Sequence, residues 1–129
     1  MTETTPVNPQ IQALIDDYFE VIHAQDMTLF DRVFHQDCCL YSAQGGNLVL
    51  RPYSVYREQV ANRQSPKQLG NTRRDKVLLV DQISDTLALV KLQLEMFGGV
   101  MQDYLNLVYL DGRWVVMAKM YEQVGEAQP

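Results

Sequence analysis

The positions of apolar residues divide the chain into a helical first part and a strand-rich second part. From Pro9 onward, apolar residues recur every three or four positions, which is the spacing of one buried helix face. Asn8 can cap this helix, and Pro9 occupies its favoured first position. Asp26 can cap a short second helix in the same way, so this part of the chain predicts an αα-hairpin. The apolar positions of the first helix are Ile11, Leu14, Ile15, Tyr18, Phe19 and Ile22.

Alternation with a period of two begins at Asp37 and predicts a strand. Gly45, Gly46 and Asn47 then favour a turn, and a second short strand completes a hairpin. Pro52 opens a third helix. In the first strand the two alternating sets are Cys38, Leu40 and Ser42 on one side and Cys39, Tyr41 and Ala43 on the other.

Four long segments rich in β-branched and aromatic residues make up the rest of the chain: 73–84, 86–97, 100–110 and 113–124. Asp85 and the pairs Gly98-Gly99 and Asp111-Gly112 separate these segments, and they favour tight hairpins. Helices that precede a run of antiparallel strands cannot form βαβ units, so the predicted fold class is α+β.

A sheet of this length twists and can curl around the first helix. We therefore expect a curved mixed or antiparallel sheet, a cone-like half-barrel, packed on three N-terminal helices. A cavity is expected where the helices leave the concave face unfilled. Residues 9–124 form the expected single domain, after a flexible lead of residues 1–8 and before a tail of residues 125–129. A chain of 129 residues has the size of one domain.

The charge balance limits the classes of partner. The formal net charge is −5, without a basic stripe, which argues against nucleic acid and against anionic membrane surfaces. No apolar run approaches the roughly 20 residues that span a bilayer, and the first ten residues do not have the pattern of a signal peptide. We expect a cytoplasmic protein.

The only two cysteines are Cys38 and Cys39. Neighbouring side chains on a strand point to opposite faces and cannot easily form a disulfide. Two buried, inert thiols are the simplest interpretation. The sequence has no zinc-type ligand spacing, and it indicates neither a metal nor a cofactor.

Two stretches of the chain resemble a known family. The stretch VFHQDCCLY, residues 33–41, resembles a helix-to-strand passage with a histidine and an aspartate before the first strand. The stretch FGGVMQDYLNLVYLDGRWVVMAKMYE, residues 97–122, resembles a final hairpin with an aspartate-aromatic pair, a Gly-Arg-Trp turn and a lysine just beyond. Both resemble the nuclear transport factor 2-like superfamily, with its cystatin-like fold, and within it the family named putative lumazine-binding proteins. The resemblance covers residues 10–124 and implies a small-molecule-binding domain.

The same superfamily contains ketosteroid isomerases, in which an aspartate base works with a tyrosine and a protonated aspartic acid. The resemblance puts the tyrosine at Tyr18, the base at Ser42 and the acid at Asn106. A serine cannot abstract a carbon-bound proton at neutral pH, so this isomerase chemistry is not expected. An isomerase, dehydratase or polyketide-cyclase-like enzyme that uses Lys119, His35 or Tyr18 as acid or base is the alternative function.

A polar lining of the cavity is the leading hypothesis for function. Alternation puts Asn106 on one strand face with Tyr104 and Val108, and the resemblance puts Met117, Lys119 and Tyr121 on the concave face. Tyr18, Asn106, Lys119 and Tyr121 are then expected to converge on a planar heteroaromatic or carbonyl ligand, with the pKa of a partly desolvated Lys119 lowered. With His35, a residue type that has a near-neutral reference pKa, the candidate ligand-binding residues are Tyr18, His35, Tyr104, Asn106, Lys119 and Tyr121.

Four of these residues also have a structural interpretation. Tyr18 can be a core tyrosine, and Tyr121 can serve sheet packing. Lys119 can reach the rim or pair with Asp103 or Glu122. His35 can bond a carbonyl at the end of the second helix.

The second face of the sheet is also apolar, since Leu105, Leu107 and Tyr109 share one side of their strand. A monomer rarely exposes so large an apolar face, so we expect a homodimer through the sheet, which the resemblance also implies. A protein-interaction module with a filled core is a third hypothesis for function.

Overall fold

The first two helices each begin with a side-chain cap. The structure is a computed structural model, and it describes residues 7–128. The Asn8 side chain accepts the Gln10 N–H at 2.9 Å, with Pro9 as the first helical residue. Asp26 accepts the N–H groups of Thr28 and Leu29 at 3.0 and 3.2 Å. Both predicted helix starts are confirmed. Such caps satisfy backbone donors that have no partner inside the helix.

Among residues 7–128, three α-helices and six strands follow one another in the predicted order. The helices are α1 (Pro9–Ala24), α2 (Met27–Val33) and α3 (Tyr53–Asn62). The strands are β1 (Phe34–Ser42), β2 (Val49–Pro52), β3 (Lys76–Gln82), β4 (Leu87–Met96), β5 (Gly99–Leu110) and β6 (Arg113–Glu126).

All six strands form one mixed sheet in the order β2-β1-β6-β5-β4-β3. β1 and β6 run parallel, and the other four neighbouring pairs are antiparallel. The predicted fold class, a curved sheet packed on three helices, is confirmed. β6 extends through Gly125 and Glu126, which pair with the start of β5, so the predicted tail is partly strand. Residues 1–6 of the predicted lead, and Pro129, lie outside the described residues.

One face of the sheet, here called the inner face, packs on the helices and carries the core. In β5 its side chains are Met101, Asp103, Leu105 and Leu107, all buried. The opposite, outer face carries Gln102, Tyr104, Asn106 and Val108. The prediction that Asn106 and Tyr104 line the concave face is therefore wrong, because the alternation was assigned with the two faces exchanged.

A bulge changes which residues of β6 face inward. Leu107 is opposite Val116, but Asn106 is opposite Ala118, so Met117 is an extra residue in the ladder. A bulge of this kind shifts the alternation by one position. Trp114 and Val116 face inward before the bulge, and Lys119 and Tyr121 do so after it. None of the helices between residues 7 and 128 is both long and apolar enough to cross a membrane.

Candidate functional site

Four polar side chains meet in the interior, between the helices and the inner face of the sheet. They are Tyr18 from α1, Tyr56 from α3, Asp103 from β5 and Lys119 from β6, and none is more than 4% exposed. We call these four residues the inner cluster. Lysine and aspartate are rarely buried to this extent unless they are paired.

The members of the inner cluster contact one another. The Tyr18 hydroxyl donates to Asp103 Oδ2 at 2.5 Å. Lys119 Nζ donates to the Tyr56 hydroxyl at 3.2 Å and lies 3.8 Å from Asp103 Oδ2. A buried charge needs an opposite charge and hydrogen bonds nearby, and this arrangement supplies both to Asp103.

Aromatic rings surround the buried ammonium on three sides. Lys119 Nζ lies 5.3 Å from the ring centroids of Tyr18 and Tyr56 and 5.4 Å from that of Tyr121. A cation at this distance from a ring face is attracted by the ring's negative charge distribution. Tyr121 is itself held in place, because its hydroxyl accepts a hydrogen bond from Arg51 at 3.1 Å.

The ammonium of Lys119 has more donors than acceptors around it. It carries three N–H groups, and among residues 7–128 it makes one hydrogen bond, to Tyr56. Lys119 and Asp103 form an ion pair at 3.8 Å, and this distance is too long for a hydrogen bond. Two donors of Lys119 are thus left for other acceptors.

Protonation in the inner cluster follows from burial and from these contacts. Burial by itself lowers the pKa of Lys119, but Tyr56 and Asp103 raise it, and the net pKa lies above the ordinary value. The expected lowering of this pKa is therefore wrong. Burial, followed by the charge of Asp103, raises the pKa of Tyr18 well above its ordinary value. At neutral pH the lysine is charged and this tyrosine is neutral.

Three of the six predicted site residues come together. Tyr18, Lys119 and Tyr121 meet at the ammonium, and of the three structural alternatives for Lys119, the rim, Asp103 and Glu122, the structure shows the pairing with Asp103. Asn106 is exposed on the outer face and does not share a compartment with Tyr18. Asp103 takes the place that we expected Asn106 to occupy. The signal in the sequence is a single acidic residue at an alternate position among Met101, Leu105 and Leu107.

The remaining two predicted residues, Tyr104 and His35, line two separate cavities. Tyr104 is 47% exposed and lines a cavity of about 350 Å³ together with Lys91, Met120 and Tyr121. His35 lies within β1 and lines a cavity of about 450 Å³. Its Nδ1 accepts the Asp37 N–H at 3.0 Å, a different contact from the helix-end carbonyl that we expected.

The two thiols are free, and they differ in burial. Burial, more than any neighbouring charge, raises the pKa of Cys38 to about 12, which suits the inert thiol that we expected. Cys39 is only half-buried, so the expectation of two buried thiols is wrong for this residue. Within residues 7–128, no three His, Cys, Asp or Glu side chains are placed to hold a metal ion.

Comparison with known proteins identifies the family and the fold. The family model described as "Putative lumazine-binding" matches residues 7–122, which confirms the predicted family. The search among curated proteins found no match.

Solved structures with the same fold are distant in sequence. A nuclear transport factor 2-like protein of unknown function from Shewanella baltica is 20% identical, with a TM-score of 0.76 over 94% of this chain and 98% of that one. One from Methylobacillus flagellatus is 18% identical, with a TM-score of 0.77 over 95% and 98%. A cystatin-like fold protein from Burkholderia xenovorans is 12% identical, with a TM-score of 0.71 over 92% of both chains. These similarities establish the nuclear transport factor 2-like fold.

Proposed function

The chain belongs to the putative lumazine-binding family, and we propose that it is a small-molecule-binding domain for a planar heteroaromatic or carbonyl ligand. The observation that carries this proposal is the Lys119 ammonium, which lies among three tyrosine rings with two donors left over. A ring or carbonyl oxygen is an acceptor that such a donor can bind. The tyrosine rings would stack on the flat faces of the same ligand.

Tyr121 marks the side from which a ligand can approach. Tyr18 is 0% exposed and Tyr56 is 4% exposed, whereas Tyr121 is only partly buried. The ligand therefore meets Tyr121 first, and movement of this ring opens the way to Lys119. Arg51 holds the Tyr121 hydroxyl and restricts that movement.

Binding of lumazine, the compound in the family's name, tests the proposal. We expect Tyr121→Ala to weaken binding about tenfold or more, because stacking of a base on an aromatic ring contributes about 1–3 kcal/mol. Tyr109→Ala is the matched control. Tyr109 is also a partly buried tyrosine, but it packs on Trp114 near the β5–β6 turn, at the other end of the sheet. Fluorescence titration gives the affinities.

Native mass spectrometry of protein purified from its own host complements this titration. A stoichiometric aromatic or carbonyl compound released by mild denaturation supports the proposal. The same affinity in both tyrosine variants would place the ligand away from Tyr121 and contradict the proposed site. Protein that carries no compound and binds no planar probe would exclude the function.

Enzymatic turnover is a second candidate function, because a buried tyrosine and a buried aspartate, Tyr18 and Asp103, lie side by side in the interior. Ketosteroid isomerases use a tyrosine and a protonated aspartic acid as donors to an oxyanion. Here Asp103 forms an ion pair with Lys119 at 3.8 Å. Tyr18 donates to that carboxylate, so its hydroxyl is not free for a substrate. Ser42 supplies no base, and we therefore prefer binding to turnover.

We also propose that the protein is a homodimer through the outer face. Large apolar side chains that are 40–51% exposed there include Leu79, Leu87, Tyr104 and Met120. An apolar surface of this kind marks an interface, and a two-fold dimer covers it with a second copy. Leu105 and Leu107, which we had assigned to this interface, belong to the core instead.

Solution mass tests the homodimer. At micromolar concentration, light scattering should give twice 14.8 kDa for the wild type and 14.8 kDa for Met120→Glu, because the glutamate places a charge in the interface. Leu48→Glu is the control, since Leu48 is 73% exposed and precedes β2 outside the sheet. A wild-type monomer at this concentration would refute the proposed dimer.

A further inference from the structure

Arg63 follows α3 and is held at the point where α1 ends. Its Nε donates to Gln25 Oε1 at 2.9 Å, and its guanidinium carbon lies 5.1 Å from the centroid of the Phe97 ring. The amide of Gln25 also donates to the carbonyls of Val60 and Arg63 at 2.9 and 2.8 Å. The guanidinium is thus fixed by a hydrogen bond on one side and by a ring on the other.

Both residues that hold the guanidinium have an unfavourable backbone conformation. Of residues 7–128, three that are not glycine have a positive φ, and two of them are Gln25 at 57° and Phe97 at 51°. Side chains other than glycine rarely adopt this region outside helix ends and hairpin turns. Phe97 is in addition 43% exposed. Gln25 is the left-handed C-cap of α1, and Phe97 opens the β4–β5 turn with Gly98 at 79°. A helix end and a hairpin turn thus position the two side chains that hold Arg63.

The far nitrogen of the guanidinium lacks a partner. Arg63 Nη2 is buried, and it makes no hydrogen bond with any residue between 7 and 128. It is the only buried side-chain nitrogen or oxygen in that range with this property. Nearly all buried polar groups in native proteins are hydrogen-bonded, and each exception calls for an explanation. A structural link between α1 and α3 explains the hydrogen bond of Nε to Gln25, but it does not explain why Nη2 is buried without a partner.

The charges around Arg63 indicate that the missing partner of Nη2 is negatively charged. Arg63 carries a positive charge, and none of the ion pairs among residues 7–128 includes it. Burial is the largest influence on the pKa of Tyr18 and of Lys119, and the Arg63 charge also acts on both, lowering each pKa. The charge of Arg63 thus reaches Tyr18 and Lys119, and it has no counterion among residues 7–128. A single negative charge on a ligand balances it.

We propose that Arg63 is the anion-binding residue of the ligand site, with Nη2 donating to a carboxylate or an ionised ring oxygen of a planar monoanion. This inference rests on the proposed binding function and narrows its ligand to an anionic class. Guanidinium donors bind such oxygens with short, charge-assisted hydrogen bonds. Phe97 and Gln25 fix the donor in advance, which reduces the entropy lost on binding.

Two pairs of probes test the charge requirement. The pairs are lumazine-6-carboxylate with lumazine, and benzoate with benzamide, at about pH 6, where a carboxylate is ionised. We expect the wild type to bind each carboxylate about tenfold or more tightly than its neutral partner, as is typical of a hydrogen bond to a charged group. Arg63→Gln should lose this preference. Arg63→Lys keeps the positive charge but lacks the parallel N–H donors of the guanidinium. This variant should retain part of the preference for the carboxylate.

Arg74→Gln is the matched control. It removes the same charge from an exposed arginine that pairs with Glu95 at 2.6 Å, and it should keep the full preference. Circular dichroism establishes that each variant is folded, and the charge-keeping Arg63→Lys protects the test if Arg63→Gln does not fold. Equal binding within each pair, or a preference that survives in Arg63→Gln, overturns the inference and leaves the proposed function standing. If no probe of either pair binds, the proposed function fails and the inference fails with it.

Discussion

Replacing Lys119 by methionine is expected to lower the free energy of unfolding by about 3–5 kcal/mol, as removal of one partner from a buried ion pair does. Asp103, which is 3% exposed, would keep the Tyr18 hydrogen bond and lose the cation 3.8 Å away. An ionised carboxylate without a cation is unfavourable in the interior. Urea denaturation measures the change, at one fixed protein concentration because a dimer makes stability depend on concentration.

A second substitution shows whether the loss comes from the uncompensated charge. Asp103→Asn keeps an acceptor for the Tyr18 hydroxyl and removes the negative charge. The double variant with Lys119→Met should therefore recover most of the stability that either single variant loses. Lys76→Met is the control for the chemical change, because Lys76 is exposed, and it should shift stability by no more than about 0.5 kcal/mol. Losses that simply add in the double variant would show that the two charges do not interact.

The sequence predicted the elements of the fold because their signals are local. Asn8 and Asp26 cap helices through backbone groups two or three residues away, so the pattern that predicts the cap also forms it. The turn at Asp111-Gly112 is local in the same sense. Its residues adopt φ of 52° and 82°, which this pair tolerates better than most.

The orientation of β5 could not be predicted from alternation alone. Alternation yields two sets of residues, and it leaves open which set faces the core when both contain large apolar side chains. An error of one position exchanges the faces completely, and this exchange moved Asn106 inward and Asp103 outward. In β6 the bulge at Met117 breaks the alternation, so Trp114 and Lys119 both face inward although they are five positions apart.

The inner cluster was only partly predictable because its contacts are distant in sequence. Tyr18 and Asp103 are 85 positions apart, and Tyr56 and Lys119 are 63 apart. Tyr18 and Lys119 were found through the resemblance to a family. Tyr56 and Arg63 lie on and just after a weakly patterned helix, and nothing local distinguishes them from residues of an ordinary amphipathic surface.

A matched pair of neighbouring substitutions tests the orientation of β5 directly. Leu105→Ala should lower the free energy of unfolding by about 2–5 kcal/mol, because it removes a buried side chain and leaves a cavity. Leu105 is 1% exposed. Asn106→Ala should change it by no more than about 0.5 kcal/mol, since Asn106 is exposed. Urea denaturation measures both.

The comparison separates the two orientations because the same strand carries both residues and the backbone is unchanged. If the inner face held Asn106, as the alternation first suggested, the order of the two losses would be reversed. A polar side chain buried there would lose its hydrogen bonds on truncation, while Leu105 would be trimmed at the surface. Asp103 and Leu105 share one face of β5. A larger loss of unfolding free energy for Asn106→Ala than for Leu105→Ala would therefore reject the placement of Asp103 beside Tyr18. The inner cluster would be rejected with it.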